Sequence, residues 1–283
     1  MIAAEGLPVR DACRVLGVLS AGFYAWRVRA PSTRAIRHAW LTDLVREVHA
    51  DSFGRYGARR VHAELVLGRG VLVGHNAVAL LMQRAGLRGI TGARRARSGP
   101  DPVTAEDLVD RVFSRSGCDE LWVTDITEHP TREGKVYCAV VLDAFSRRVV
   151  GWSIDASPTA ALATNALDMA IDNRRPQPNA TVIHSDHGVQ FTSRAFTERA
   201  RQSGLIASMG SIGDCYDNAV IEAFWSRLQV ELLNTKRWKT RIELANALFE
   251  YLEIYHNQKR RHSQLGMHTP ADYENLHRHL VVA

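Results

Sequence analysis

Between residues 120 and 154 the chain carries three short apolar runs, ELWVTDIT (120–127), KVYCAVVLD (135–143) and RVVGWSI (148–154). The turns between them, around Arg132-Glu133-Gly134 and over residues 144–147, are very short. Connections of that length join antiparallel neighbours, because a parallel crossover needs a dozen residues or more. A three-stranded antiparallel meander is therefore the expected nucleus of the fold. The pattern then alternates. Ser157-Pro158 predicts a helix with a serine cap and a first-turn proline, running to about Asn173. Residues 181–184 read as a fourth strand, Ser193 to Gly204 as a capped helix, and 205–208 as a short fifth strand. Two long helices, about 217–235 and 241–257, follow. This order is α/β, but it is not the repeating βαβ of nucleotide-binding folds, and no GxGxxG or P-loop occurs.

The first hundred residues are different in kind. They hold 16 Lys and Arg against 6 Asp and Glu, whereas residues 101–283 hold 20 against 24. A basic segment joined to a slightly acidic one suits a nucleic-acid-binding module attached to a second domain. Residues 6–27 read as helix, turn at Gly17 and second helix, with Ser20 as a candidate cap. Residues 58–86 repeat the plan around Gly68-Arg69-Gly70. Such pairs can place one helix in a major groove. Residues 89–102, GITGARRARSGPDP, lack periodicity and read as a basic linker. The boundaries expected are 1–88 for a helical, helix-turn-helix-like DNA-binding region, 89–107 for the linker, 108–257 for the main domain and 258–283 for a basic tail. No apolar run approaches the roughly 18 residues that span a bilayer, and no signal pattern opens the chain. The expectation is a soluble, cytoplasmic, nucleoid-associated protein. Cys13, Cys118, Cys138 and Cys215 are scattered without a CxxC pair, which predicts reduced structural thiols.

Three carboxylates occupy unusual places. Asp125 lies inside the apolar run Leu121–Ile126, where a charge is costly unless it faces a cleft or a cation. Asp186 follows immediately after the strand ending at His184, at the kind of strand end where ligand sites collect. Glu222 sits on a helix whose Ile221, Phe224 and Leu228 form an apolar stripe, while Asn218, Glu222, Trp225 and Gln229 form another. Hard oxygen donors of this kind suit Mg²⁺ or Mn²⁺. His184 and His187 frame Asp186, but with no matching Cys or His partners they do not predict zinc.

The segments WVTDIT (122–127), HSDHGVQFTS (184–193) and GDCYDNAVIEAFWSRL (213–228) resemble the DDE transposases related to retroviral integrases. The chain is most similar to the downstream-frame (orfB) product of bacterial insertion sequences. The 35 residues between Asp186 and Glu222 are that family's hallmark. RYGARRVHAEL (55–65) resembles its N-terminal helical motif, and YHNQKRRHSQLGMHTPADYE (255–274) its closing motif. The resemblance implies a ribonuclease-H-like core with a mixed five-stranded sheet. It also implies two metal ions held by Asp125, Asp186 and Glu222, and cleavage and transfer of strands at an element's terminal repeats into target DNA. It further implies a homo-oligomer on DNA and an upstream-frame (orfA) partner or fusion. Candidate DNA contacts are Arg59, Arg60, Arg94, Arg95, Arg227, Arg260 and Arg261. One departure stands out: where the family carries a basic residue seven positions after the glutamate, this chain has Gln229, with Arg227 nearby. Two alternatives share parts of the pattern, a non-catalytic DNA-binding regulator of transposition and a ribonuclease-H-like nuclease.

Overall fold

The computed structural model describes residues 8–90, 115–209 and 219–281. Its centre is a five-stranded sheet in the order β3-β2-β1-β4-β5. The strands are β1 (Leu121–Thr131), β2 (Gly134–Asp143), β3 (Val149–Asp155), β4 (Val182–Ser185) and β5 (Ile206–Met209). β1, β2 and β3 form the antiparallel meander, while β4 pairs parallel to β1 and β5 parallel to β4. The sheet is thus mixed, as expected of a ribonuclease-H-like core.

Side chains alternate across β1, and that alternation divides the core. Trp122 points to one face, where it joins Ala139, Val141, Ile183 and two helices, α6 (Ala160–Arg174) and α7 (Arg194–Gln202). α6 lies very close to β3, because Ala166 and Ala170 meet Gly151 there. A Cβ on Gly151 would stand 2.2 Å from the Ala166 carbonyl oxygen and 2.6 Å from the Ala170 nitrogen. Both are backbone atoms that cannot swing aside. Gly151→Val is therefore expected to destabilise the protein by about 3 kcal/mol or more, read as a lower midpoint in urea at unchanged m-value.

Val123 points to the opposite face. There it joins α8 (Ala219–Glu231) and α9 (Arg241–Phe249), which continues as a π-helical segment, Glu250–His256. The same core takes in residues from three N-terminal helices: α3 (Thr33–Asp51), α4 (Ala58–Ala63, extended by the π turn Glu64–Gly68) and α5 (His75–Arg84). Tyr56 shows how they are joined. Its hydroxyl donates to the Lys259 carbonyl at 2.6 Å and accepts from the Arg261 N–H at 2.8 Å. Preceding these, α1 (Val9–Val15) and α2 (Ser20–Val28) form a hairpin that leaves Val15, Leu19, Trp26 and Val28 exposed.

Several local expectations are corrected. α3 has no counterpart among the elements expected from sequence. Only Leu41, Val45 and Val48 of its 19 residues are buried, while Ile36 and Trp40 lie exposed and blur the apolar face. Ser20 is not a cap, since α2 starts from Leu19 without a side-chain cap bond. α6 is capped by Thr159, whose hydroxyl accepts from Leu162 N–H at 3.3 Å, because proline at 158 biases Ser157 away from helical backbone. The segment expected as a basic tail, 258–283, is ordered over its described residues. They carry α10 (Pro270–Val281), whose buried Glu274 accepts from Ser146 Oγ at 2.7 Å and pairs with Arg148 at 2.8 Å and with Arg174. Among the described residues no helix is long and apolar enough to cross a membrane.

Candidate active site

The parallel pairing of β1 and β4 sets Val123 level with His184. Two residues further along stand Asp125, still within β1, and Asp186, just past the end of β4, and the charge of Asp186 acts on Asp125. Both line one cleft of about 240 Å³, together with Thr127, Pro158, Gln190 and Phe191. Asp186 is exposed, and its Oδ1 accepts from Gly188 N–H at 2.9 Å, which turns the chain away from the strand. Asp125 is half-buried and held on both oxygens. Oδ1 accepts from Ile126 N–H at 2.7 Å and Oδ2 from Trp225 Nε1 at 2.9 Å.

Trp225 lies one turn after Glu222 on α8. Its apolar ring packs in the core while its N–H reaches Asp125, so the bond fixes the rotation and height of α8 against β1. Glu222, exposed in the first turn, is thereby carried on the flank nearest the two aspartates. The effect is visible in the protonation of Asp125. Burial pushes its carboxyl up to about 6, and the charges of Asp186 and Glu222 add to the rise, against the hydrogen bonds from Ile126 and Trp225. Mutual repulsion among hard oxygen donors, with no cationic side chain bonded to Asp125, is the electrostatic setting that a divalent cation relieves. The residues therefore fit such an ion. Their geometry is nevertheless open: among the described residues no three His, Cys, Asp or Glu side chains stand together as a ready-made cage. Asp125 and Asp186 share the cleft, and Glu222 acts on Asp125 by its charge.

The candidate DNA contacts divide. Arg59 and Arg227 are exposed. Arg94 and Arg95 lie outside the described residues. Arg60 is half-buried and bonds Glu231 at 3.2 Å. Arg260 and Arg261, candidate DNA contacts from the sequence, are only 3% and 5% exposed and pair within the fold. Arg260 makes a two-pronged bond to Glu231, 2.8 Å on each oxygen, and Arg261 bonds Glu64 at 2.7 Å. The chain turns inward after the π-helical segment, where buried carboxylates await both guanidiniums. His184 is likewise structural, its Nδ1 3.1 Å from Ser208 Oγ on β5. Cys13, Cys118 and Cys138 are free thiols, and burial pushes Cys118 and Cys138 each up to about 12.

Two residues escape sequence reasoning. Trp225 reads as one member of a polar stripe, yet it is buried and grips Asp125. Glu231 is 4% exposed and accepts from Arg60, Arg260 and Tyr251. A signal for Glu231 does exist: it continues the stripe Ile221, Phe224, Leu228, a place where helical spacing calls for an apolar residue.

Comparison with known proteins agrees with this layout. Residues 116–215 match a family model described as an integrase core domain, residues 222–277 match a second integrase core domain model, and residues 37–97 match an HTH-like domain. The chain is 36% identical over 273 residues to the transposase InsF for insertion sequence IS3A of Escherichia coli strain K12, covering 94% of each. It is also 36% identical over 248 residues to the transposase for insertion sequence element IS629 of Shigella sonnei, covering 87% of this chain and 82% of that one. A looser likeness, at 19% identity and a TM-score of 0.42, links 56% of this chain to 98% of the HTLV-2 integrase catalytic core domain. With two integrase-core matches flanking the carboxylate cleft and such identity over nearly its whole length, the chain belongs to the insertion-sequence transposases built on an integrase core.

Proposed function

We propose that this transposase cuts and rejoins DNA at the ends of an insertion sequence, with Asp125, Asp186 and Glu222 holding two Mg²⁺ or Mn²⁺ ions. The observation that carries the reading is the β1–β4 register, which sets Asp125 beside Asp186 while Trp225 ties the helix of Glu222 to Asp125. Held by these three carboxylates, such ions would supply Lewis-acid activation of a water or a 3′ hydroxyl and charge stabilisation of the leaving oxygen in phosphoryl transfer. The chain's own contribution is positional and electrostatic. Trp225 and the Ile126 N–H hold the Asp125 carboxylate in one orientation, and Gly188 N–H does the same for Asp186. The three negative charges together favour a cation over a proton once one is available. Residues 1–88 supply the DNA-binding region and 108–257 the catalytic core, and a multimer pairs the two element ends.

Glu222→Gln removes one charge at constant shape. Incubated with labelled element-end DNA and Mg²⁺ or Mn²⁺, the wild type is expected to give nicked and joined products and the variant none, a loss of at least about 10³-fold. Joined products from the variant would overturn the assignment. Gln229, exposed on α8 where the resembled enzymes carry a base, favours a second reading, a DNA-binding regulator without catalysis. Salt-dependent DNA binding by the wild type without any product, even after addition of a fused upstream-frame segment, would select that reading.

A further inference from the structure

α8 has a second working flank. Ala219, Ala223 and Arg227 recur along it at one-turn spacing and form one wall of a pocket of about 300 Å³, which shares no residue with the Asp125–Asp186 cleft. Its polar lining also holds Arg60, Arg147, Arg260, His256, His262, Ser263 and Gln264, and among the described residues no carboxylate lines it. Of the carboxylates that act on these arginines, Glu231 already accepts from Arg60, Arg260 and Tyr251, and Asp143 acts on Arg147 by its charge alone. Arg147 and Arg227 are left over: among the described residues neither guanidinium has a carboxylate in ion-pair reach.

Arg147 is the more informative of the two. It is half-buried, and burial lowers its pKa from the ordinary arginine value. Taking a cation out of water is unfavourable, and the charge of Asp143, which acts on Arg147 without forming an ion pair, offsets that cost only in part. The backbone is held too. Arg147 has φ +61°, a left-handed conformation that non-glycine residues adopt at a cost. It is kept there by its N–H, which donates to the Asp143 carbonyl at 2.9 Å, and by its carbonyl, which accepts from His256 Nε2 at 2.8 Å. A carbonyl accepts only, so that nitrogen carries the proton. His256 is otherwise neutral in the fold, because burial and the neighbouring Arg260 push it down to about 4.

We propose that this pocket receives a backbone phosphate of the bound DNA, with Arg147 and Arg227 as its charge partners. The inference rests on the strand-transferase reading for its ligand. The non-bridging oxygens supply the ion-pair partner that Arg147 lacks, and the planar guanidinium fork matches a phosphate on two oxygens at once. A phosphate here grips the DNA against the same helix that carries Glu222.

The test is fluorescence anisotropy of the full chain with labelled element-end duplex from about 50 to 200 mM salt, for wild type, Arg147→Gln and Arg227→Gln. Each variant is expected to weaken binding roughly tenfold and to reduce the slope of log affinity against log salt by about one. Without DNA, Arg147→Gln is expected to melt no lower than wild type, since it removes a buried charge that is only partly compensated. Inorganic phosphate is expected to raise the melting temperature of wild type and not of Arg147→Gln. Unchanged affinity and slope in both variants would overturn the pocket while leaving the strand-transferase reading intact. So would a lowered melting temperature in Arg147→Gln at unchanged slope, which marks a purely structural arginine. A wild-type chain without salt-dependent binding would remove both.

Discussion

Asp125→Asn is expected to abolish strand cleavage and joining and, in the absence of metal, to make the protein more stable. The two effects share one cause. Asp125 keeps its charge in a half-buried place beside two other carboxylates, which raises its carboxyl from an ordinary 3.8 to about 6. Between those values the folded chain binds more protons than the unfolded chain. This group's contribution to stability is therefore full below about pH 4 and is lost as pH rises through 6. At neutral pH the charge costs on the order of 2 to 3 kcal/mol, from roughly two pKa units. Asn keeps the size, but its one carbonyl oxygen can accept from Ile126 or from Trp225 and not from both, so it removes the cost of the charge and gives up one of the two bonds, worth about 1 kcal/mol. It also removes a negative ligand, and a loss of at least about 10³-fold in product follows, equivalent to about 4 kcal/mol. Metal-free melts at pH 5 and 7.5 check the first part: wild type and variant should converge at the lower pH and separate at the higher. A variant that melts below wild type at pH 7.5 would show that Asp125 is there for structure.

Glu231→Ala is expected to be among the most damaging single changes in the chain. Glu231 joins α4, α8, the π-helical segment and the irregular stretch that carries Arg260 at one point. Arg60, Arg260 and Tyr251 all donate to its carboxylate, and Arg55 Nε donates to its backbone carbonyl at 2.9 Å. Burial by itself raises its carboxyl, but the bonds and charges of Arg260 and Arg60 and the Tyr251 hydroxyl bring it down to about 2. Removing it strands Arg260, 3% exposed, as an unpaired buried cation, and a loss of about 3 to 5 kcal/mol is expected. The pH dependence has the opposite sign to that of Asp125. Glu231's contribution is full above its ordinary 4.5 and is lost as pH falls toward 2. His256, held down at about 4 from 6.5, acts in the same direction at higher pH, because the unfolded chain takes up a proton that the folded chain refuses. Wild type should thus lose stability on acidification in two stages, through 6.5 to 4 and then below 4.5. Urea titrations at pH 7, 5 and 3.5 measure both, and in Glu231→Ala the second stage should vanish. Equal urea midpoints for variant and wild type at pH 7 would refute the role given to Glu231.

Much of the core was legible because its signals are local. The three meander strands, the helix between β3 and β4, and the short β4 and β5 all appear within a residue or three of where spacing and turn residues predict them, except that β1 runs four residues further, to Thr131. Asp125, Asp186 and Glu222 stand out one by one because each sits where a charge needs a reason. Other features were less visible. α3 mixes exposed Ile36 and Trp40 with buried Leu41, Val45 and Val48, so its inner face cannot be told from its outer one until partners are present. Arg260 and Arg261 follow Lys259 in a run that, without the fold, looks like any solvated basic cluster. Burial of a cation depends on a carboxylate 29 residues or 197 residues away, and nothing local encodes that.

From its sequence alone the chain determines its element order, its basic and acidic halves, and the strand and helix positions of Asp125, Asp186 and Glu222. Those follow from short-range rules: turn length, side-chain alternation, caps and the cost of a charge in an apolar run. Tertiary structure decided what these groups touch. Parallel pairing of β1 with β4 made neighbours of Asp125 and Asp186, 61 residues apart in number, and the Trp225 bond set α8 against them. Packing of the N-terminal helices onto α8 and the π-helical segment turned Glu231 into a buried junction, and among the described residues Arg147 has no ion-pair partner. Hydrogen bonds and ion pairs act over about 3 to 4 Å, so which of them form depends on how distant segments are brought together.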